Sequence, residues 1–187
     1  RSMKGLPLFQ KADAAGRPRI NRAPSPLVAR GVPWLSVMLA SLVPAWIVIA
    51  SAPVLPPFGY LMLIGWRQLR PEVLPVWAGL PLGLFDDLYS GQPLGSGILL
   101  WSVTVIVLDL IEQRLPWRNF LMEWLAAAGM IAVYLALALV LANVSGGATP
   151  VQVILPQIAV SILAYPLVGR MVAALDRLRE LPIRKLD

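Results

Sequence analysis

WLAAAGMIAVYLALALVLANVSGGATPVQVILPQIAVSILAYPLVG, residues 124–169, is a run of 46 residues without one charged side chain. A membrane-crossing helix needs about 20 mostly apolar residues, so this run has room for two. It divides at NVSGGATP, residues 143–150, where paired glycines and a proline favour a turn. The stretch therefore reads as a helical hairpin in lipid.

The same pattern extends outward. Residues 31–66, 73–85 and 88–108 also carry no charge. The first of these has room for two spans and divides at ASAPVLPP, residues 50–57, where three prolines cluster. Spans are expected near 32–50, 54–66, 73–88, 94–110, 121–142 and 150–171, the second short enough to sit with little tilt or to be partly re-entrant. The expected fold is an all-α integral membrane protein, a compact bundle of about six transmembrane helices. Composition agrees: 58% of the 187 residues are hydrophobic and 14% charged, against about 25% charged in soluble domains. A soluble chain of this size could not bury that much apolar surface.

Charge sets the orientation. The sixteen basic residues fall in the N-terminal segment, around Arg67 and Arg70, around Arg114 and Arg118, or near the C-terminus. With six spans all of them lie on one side, which the positive-inside rule assigns to the cytoplasm together with both termini. Without the short second crossing, Arg67 and Arg70 would fall outside. The net charge of +6 thus reads as a topology signal, not as a nucleic-acid footprint. Residues 1–30, with seven basic residues and four prolines, read as a disordered cytoplasmic tail. Residues 31–172 form the transmembrane domain. Residues 173–187 form an amphipathic cytoplasmic extension, its apolar face begun by Val168, Met171, Leu175 and Leu178. Ala50, Ser51 and Ala52 have the small-x-small form of a signal-peptidase site, but the long basic segment before the first span favours a retained anchor.

Residue types also exclude chemistry. The chain has no cysteine and no histidine, which removes thiol nucleophiles, thiolate zinc sites, imidazole bases and a Ser-His-Asp triad. Asp86 and Asp87 are adjacent, so on a helix they diverge by about 100° and make a poor acid–base pair. Two carboxylates are also too few for a metal. No enzyme, cofactor or metal is expected.

The most informative run is GLFDDLYSGQPLGSGILL, residues 83–100. Gly79 and Gly83 form a small-xxx-small face that admits a neighbouring backbone. Gly91, Pro93 and Gly95 suggest a break and a restart, with Ser90 or Gln92 near the next helix cap. Asp86 reads as a satisfied interfacial acid beside that turn, and Asp87 as a packing or partner residue. Asp109, Glu112, Arg114 and Arg118 read as solvated interfacial charges of the third cytoplasmic loop, paired or unpaired, worth little energetically. Trp34, Trp66, Trp101, Trp117 and Trp124 flank spans as an aromatic belt does.

That run, with six short spans in under 200 residues, resembles the bacterial rod shape-determining protein MreD family. The positions that match the family's pattern are Gly83, Leu84, Asp87, Leu88, Ser90, Gly91, Pro93, Leu94 and Gly95. Tyr89 stands where Leu is more frequent, and Asp86 is an additional acid. LPPFG (residues 55–59) and WRQLRPE (residues 66–72) are similar to the family's first hairpin. The resemblance implies a non-catalytic inner-membrane scaffold of the cell-elongation complex. Its implied partners are a bitopic MreC-like protein and, indirectly, the actin-like MreB filament and the RodA glycosyltransferase with its transpeptidase. The resemblance also implies a fold similar to the substrate-binding subunits of energy-coupling-factor transporters, with a pocket that is empty or lipid-filled.

Gly79, Gly83, Asp87, Ser90, Gly91, Pro93, Leu94 and Gly95 are accordingly the expected partner-binding or structural motif. The alternative function is a small-molecule transporter subunit of the energy-coupling-factor type. It requires convergent polar groups near mid-membrane, and the sequence offers Gln152, Gln157, Ser161, Tyr165, Ser102, Thr104 and Tyr134.

Overall fold

The computed structural model describes residues 26–46, 55–114, 119–148 and 150–179. Six α-helices follow one another: α1 (Pro26–Trp46), α2 (Phe58–Leu69), α3 (Gly79–Ser90), α4 (Ser96–Arg114), α5 (Phe120–Val144) and α6 (Ile154–Arg179). Single 3-10 turns, Val76–Ala78 and Val151–Val153, lead into α3 and α6. Among the described residues there is no strand. Residues 1–25 of the expected 1–30 tail, 180–187 of the expected C-terminal extension, the small-x-small site at 50–52, and Trp117 and Arg118 lie outside the described residues; residues 26–30, expected as tail, instead open α1.

Pairs of touching residues fix the helix directions. Trp66 bonds Ser36 while Gly59 meets Ser41, so α1 and α2 are antiparallel. Gly79 against Ser102 and Gly83 against Gly97 make α3 and α4 antiparallel. Tyr60 with Thr104 and Arg67 with Asp109 make α2 and α4 parallel. Tyr60 with Met130 and Gln68 with Glu123 set α5 against α2. Gly65 against Val172 and Arg70 with Asp176 run α6 along α2. The helices therefore alternate in direction, and the bundle has two distinct ends. One, the charged end, holds Arg67, Arg70, Asp109, Glu123 and Asp176. The opposite end holds Asp86 and Asp87.

Among the described residues three helices, α4, α5 and α6, are long and apolar enough to cross a membrane. α2 is different: at 12 residues it rises about 18 Å, well short of a bilayer's hydrocarbon core of about 30 Å. Its residues Gly59 to Arg67 are all buried. An apolar helix with no polar face belongs inside a bundle, and α2 packs against α1, α4, α5 and α6 as the central helix. Tyr60 lies at its heart, stacked on Tyr134 at 3.9 Å between ring centroids and hydrogen-bonded to Thr104 at 2.9 Å.

Two sequence expectations are corrected by the packing. Trp66 and Trp101 are fully buried core residues rather than members of an interfacial belt. Among the described residues Trp46 and Trp77 are the exposed tryptophans. The apolar stripe at the end of α6 is also rotated from its expected face. Val168 and Val172 point inward, whereas Met171 and Leu178 are exposed. Asp176 continues the inward stripe because Arg70 meets it there.

Candidate functional site: the α3–α4 corner

The corner begins with two glycines that let two backbones touch. A Cβ on Gly79 would stand 2.7 Å from Ser102 Cα, and one on Gly83 would stand 2.5 Å from the Gly97 carbonyl oxygen. Both distances are below any real Cβ contact, so α3 and α4 pack at a separation only glycine permits. The expected small-residue face is thus present, and it is used up inside the chain. It is covered by α4.

The turn between the helices then follows from backbone angles. α3 ends at Gly91 in the left-handed region (φ +70°), and Gly95 is also left-handed (φ +98°). An L side chain at either position would be strained. Ser90, Gly91 and Leu94 are exposed, and Gln92, Pro93 and Gly95 are half-buried.

The start of α4 presents amide donors that no earlier helical turn can accept. Ser96 N–H donates to the Pro93 carbonyl at 3.0 Å, and Leu99 N–H donates to that of Gly95. The remaining donors go to Asp87. Its Oδ1 accepts from Gly97 N–H at 2.7 Å and from the Ser96 hydroxyl at 3.3 Å. Its Oδ2 accepts from Gly95 N–H at 2.8 Å and from Ile98 N–H at 3.3 Å. The carboxylate is only 4% exposed and is stabilised by these donors together with the positive end of the α4 dipole. Asp87, from the preceding helix, therefore caps α4 in place of Ser90 or Gln92. Ser90 Oγ accepts only a long bond from Gln92 N–H, and Gln92 only one from Ser96.

Asp86 is buried as well, inside α3 rather than beside the turn. Its polar neighbours are Ser41 of α1 and Tyr134 of α5. Both hydroxyls are buried, and neither meets the geometry of a hydrogen bond. With Asp87 bound to amides and Asp86 turned to another face, the two carboxylates do not converge on a shared reacting atom. Among the described residues no group of three or more Asp or Glu is placed to hold a metal ion.

At the charged end lies a second constellation. Arg67, 3% exposed, donates to the Pro71 and Leu74 carbonyls at 2.7 and 2.8 Å and to Asp109 Oδ1 at 2.9 Å. Asp176 receives Arg70 at 3.2 Å and Arg179 at 2.8 Å. Asp109 is thus one half of a salt bridge with a buried arginine, not a solvated loop charge. Sequence reasoning missed both arginines as structural groups because they fit the charge count so well. The available signal was that Arg67 directly follows the uncharged and almost wholly apolar run 55–66.

The polar residues weighed for a transported ligand are spread among local bonds. Thr104 is tied to Tyr60 and the Leu100 carbonyl, Ser161 to the Gln157 carbonyl, Gln157 to the Leu55 carbonyl, and Tyr165 to Gln68. Ser102 and Tyr134 are the exceptions, their hydroxyls buried with no hydrogen-bond partner among the described residues.

The family model for the rod shape-determining protein MreD matches residues 27–174, a span that reaches from the start of α1 to within the last turns of α6 and includes this corner. The chain belongs to the MreD family. Comparison with curated proteins and with solved structures found no match. Membership brings a role in rod shape determination, in a family of structural membrane proteins not known as enzymes. The three apolar helices fit the inner membrane that such a protein occupies.

Proposed function

We propose that this chain is a non-catalytic scaffold subunit of the cell-elongation complex, crossing the inner membrane six times with both termini in the cytoplasm. The match across residues 27–174 carries this reading. Support for the topology comes from the strict alternation of helix directions and from the clustering of Arg67, Arg70 and Arg179 at one end. The charged end then faces the cytoplasm, with the basic segment 1–30 and the extension 173–187 on the same side. The Asp87 corner faces outward.

In this reading the corner is a rigid docking element for an MreC-like bitopic protein, and through it for the RodA glycosyltransferase and its transpeptidase. The MreB filament is reached indirectly, from the cytoplasmic side. Gly79, Gly83, Asp87 and Gly95 shape the corner. Leu88, Tyr89 and Leu94, each more than half exposed, offer the apolar contacts that a partner would cover.

Affinity copurification from native membranes tests this. The wild-type chain is expected to bring down the MreC-like protein and the elongation synthases. Leu94→Glu combined with Tyr89→Glu is expected to lose them at normal expression and thermal stability. Unchanged recovery by that variant would remove the corner as the docking surface, and recovery of an ATPase pair would replace the scaffold reading.

A further inference from the structure

Away from the corner, α2, α5 and α6 leave a lateral groove of about 570 Å³ at the charged end. Phe120 and Trp124 of α5 form one wall, and Leu163, Leu167 and Arg170 of α6 form the other. Along α6 it runs from Leu163 to Ala173, about 15 Å at 1.5 Å per residue. That is half of a hydrocarbon core of about 30 Å, the depth of one leaflet. Phe120, Leu163 and Leu167 are each more than 70% exposed, so the groove opens sideways, toward lipid.

Its polar groups are unevenly engaged. Tyr165 OH donates to Gln68 Oε1, and Gln68 Nε2 donates to the Glu123 carbonyl. Arg170, by contrast, makes no hydrogen bond or ion pair with any described residue, whereas Arg67, Arg70 and Arg179 all do. It lies six residues, about 9 Å, deeper along α6 than Asp176. A guanidinium opening on lipid at that depth is costly without an anion, and its long stem lets it reach toward the headgroup level.

An apolar slot one leaflet deep, with a single unpaired cation on its wall, matches one molecule with a hydrocarbon chain and one anionic group. We infer that the groove binds a glycerophospholipid of the adjoining leaflet, an acyl chain along Phe120, Leu163 and Leu167 and the phosphodiester on Arg170. The Glu123 carboxylate also lines the groove, which suits a headgroup with one phosphate rather than several. The inference requires that the chain be in a membrane, but not that it serve in the elongation complex.

Native mass spectrometry of the full chain in detergent, titrated with phosphatidylglycerol, tests it. The wild type is expected to retain one tightly bound lipid. Arg170→Ala is expected to weaken that binding roughly fivefold, and Leu167→Trp, which fills the slot without touching the charge, is expected to abolish it. Arg177→Ala, also an exposed arginine of α6 but outside the groove, is the control and is expected to bind like the wild type. Phosphatidylethanolamine is expected to bind comparably, and cardiolipin no tighter. Equal losses in the Arg170 and Arg177 variants, tighter binding of cardiolipin, full binding by the Leu167 variant, or a protein adduct in place of lipid would each overturn the assignment.

Discussion

The two ends of the bundle solve one physical problem in different ways. Each buries charge beside the apolar core. At the charged end the carboxylates of Asp109 and Asp176 are matched by arginines. At the opposite end Asp87 is matched by three backbone amides and a hydroxyl, with no cation. In the topology proposed above the Asp87 end is the outer one, where a basic group would oppose the positive-inside rule. A helix N-terminus supplies positive potential without a charged residue. Carboxylates can therefore be held on the outer side by geometry alone, provided that glycines bring the donors close enough.

Substitutions break or sharpen that contrast. The largest effect is expected from Gly83→Leu, which forces a side chain into the Gly97 carbonyl. The α3–α4 pair then cannot close, and monodisperse protein should be absent on size exclusion. Arg67→Ala comes next, because it takes the donor from two carbonyls and the cation from Asp109, which keeps Gln113 and is 34% exposed. Unsatisfied buried acceptors cost about 1–3 kcal/mol each, read as a large drop in the thermal midpoint in detergent. Asp87→Asn keeps one acceptor oxygen and loses the other together with the charge. The expected cost is about 2 kcal/mol, again in the midpoint, whereas a loss as large as that of Arg67→Ala would mean that the amides and the guanidinium are equally indispensable. The smallest effect is expected from Arg70→Ala, whose partner Asp176 keeps Arg179 and whose side chain is 39% exposed. It should cost under about 1 kcal/mol and shrink further in high salt. Salt should leave the Asp87→Asn penalty nearly unchanged, because the carboxylate is buried.

Much of this fold was legible in uncharged stretches and turn residues. The break at 91–95 falls between helices, that at 143–150 does so after the first two residues, which close α5, and the Gly79–Gly83 face does admit a neighbouring backbone. Asp87 was visible as a residue with a packing role, but its partners were not. They are amides eight to eleven residues away, and backbone donors carry no signature in sequence. The burial of Trp66 and Trp101 escaped notice because position along a span does not reveal which helix ends at the centre. Arg67 was masked by its fit to the charge pattern: a cation that reads as a topology signal can also be buried in the bundle.

The seating of α2 has a consequence for how the chain is made. Arg70 meets its partner 106 residues later, and Leu55 accepts from a residue 102 positions on. Helices α3 and α4 can zip together as soon as both emerge from the ribosome. α2 cannot: too short to hold a transmembrane position unaided, it must wait beside α1 until the last helix arrives to enclose it. The enclosure of α2 thus depends on contacts spanning 102 to 106 residues of sequence, which form only once α6 has been made.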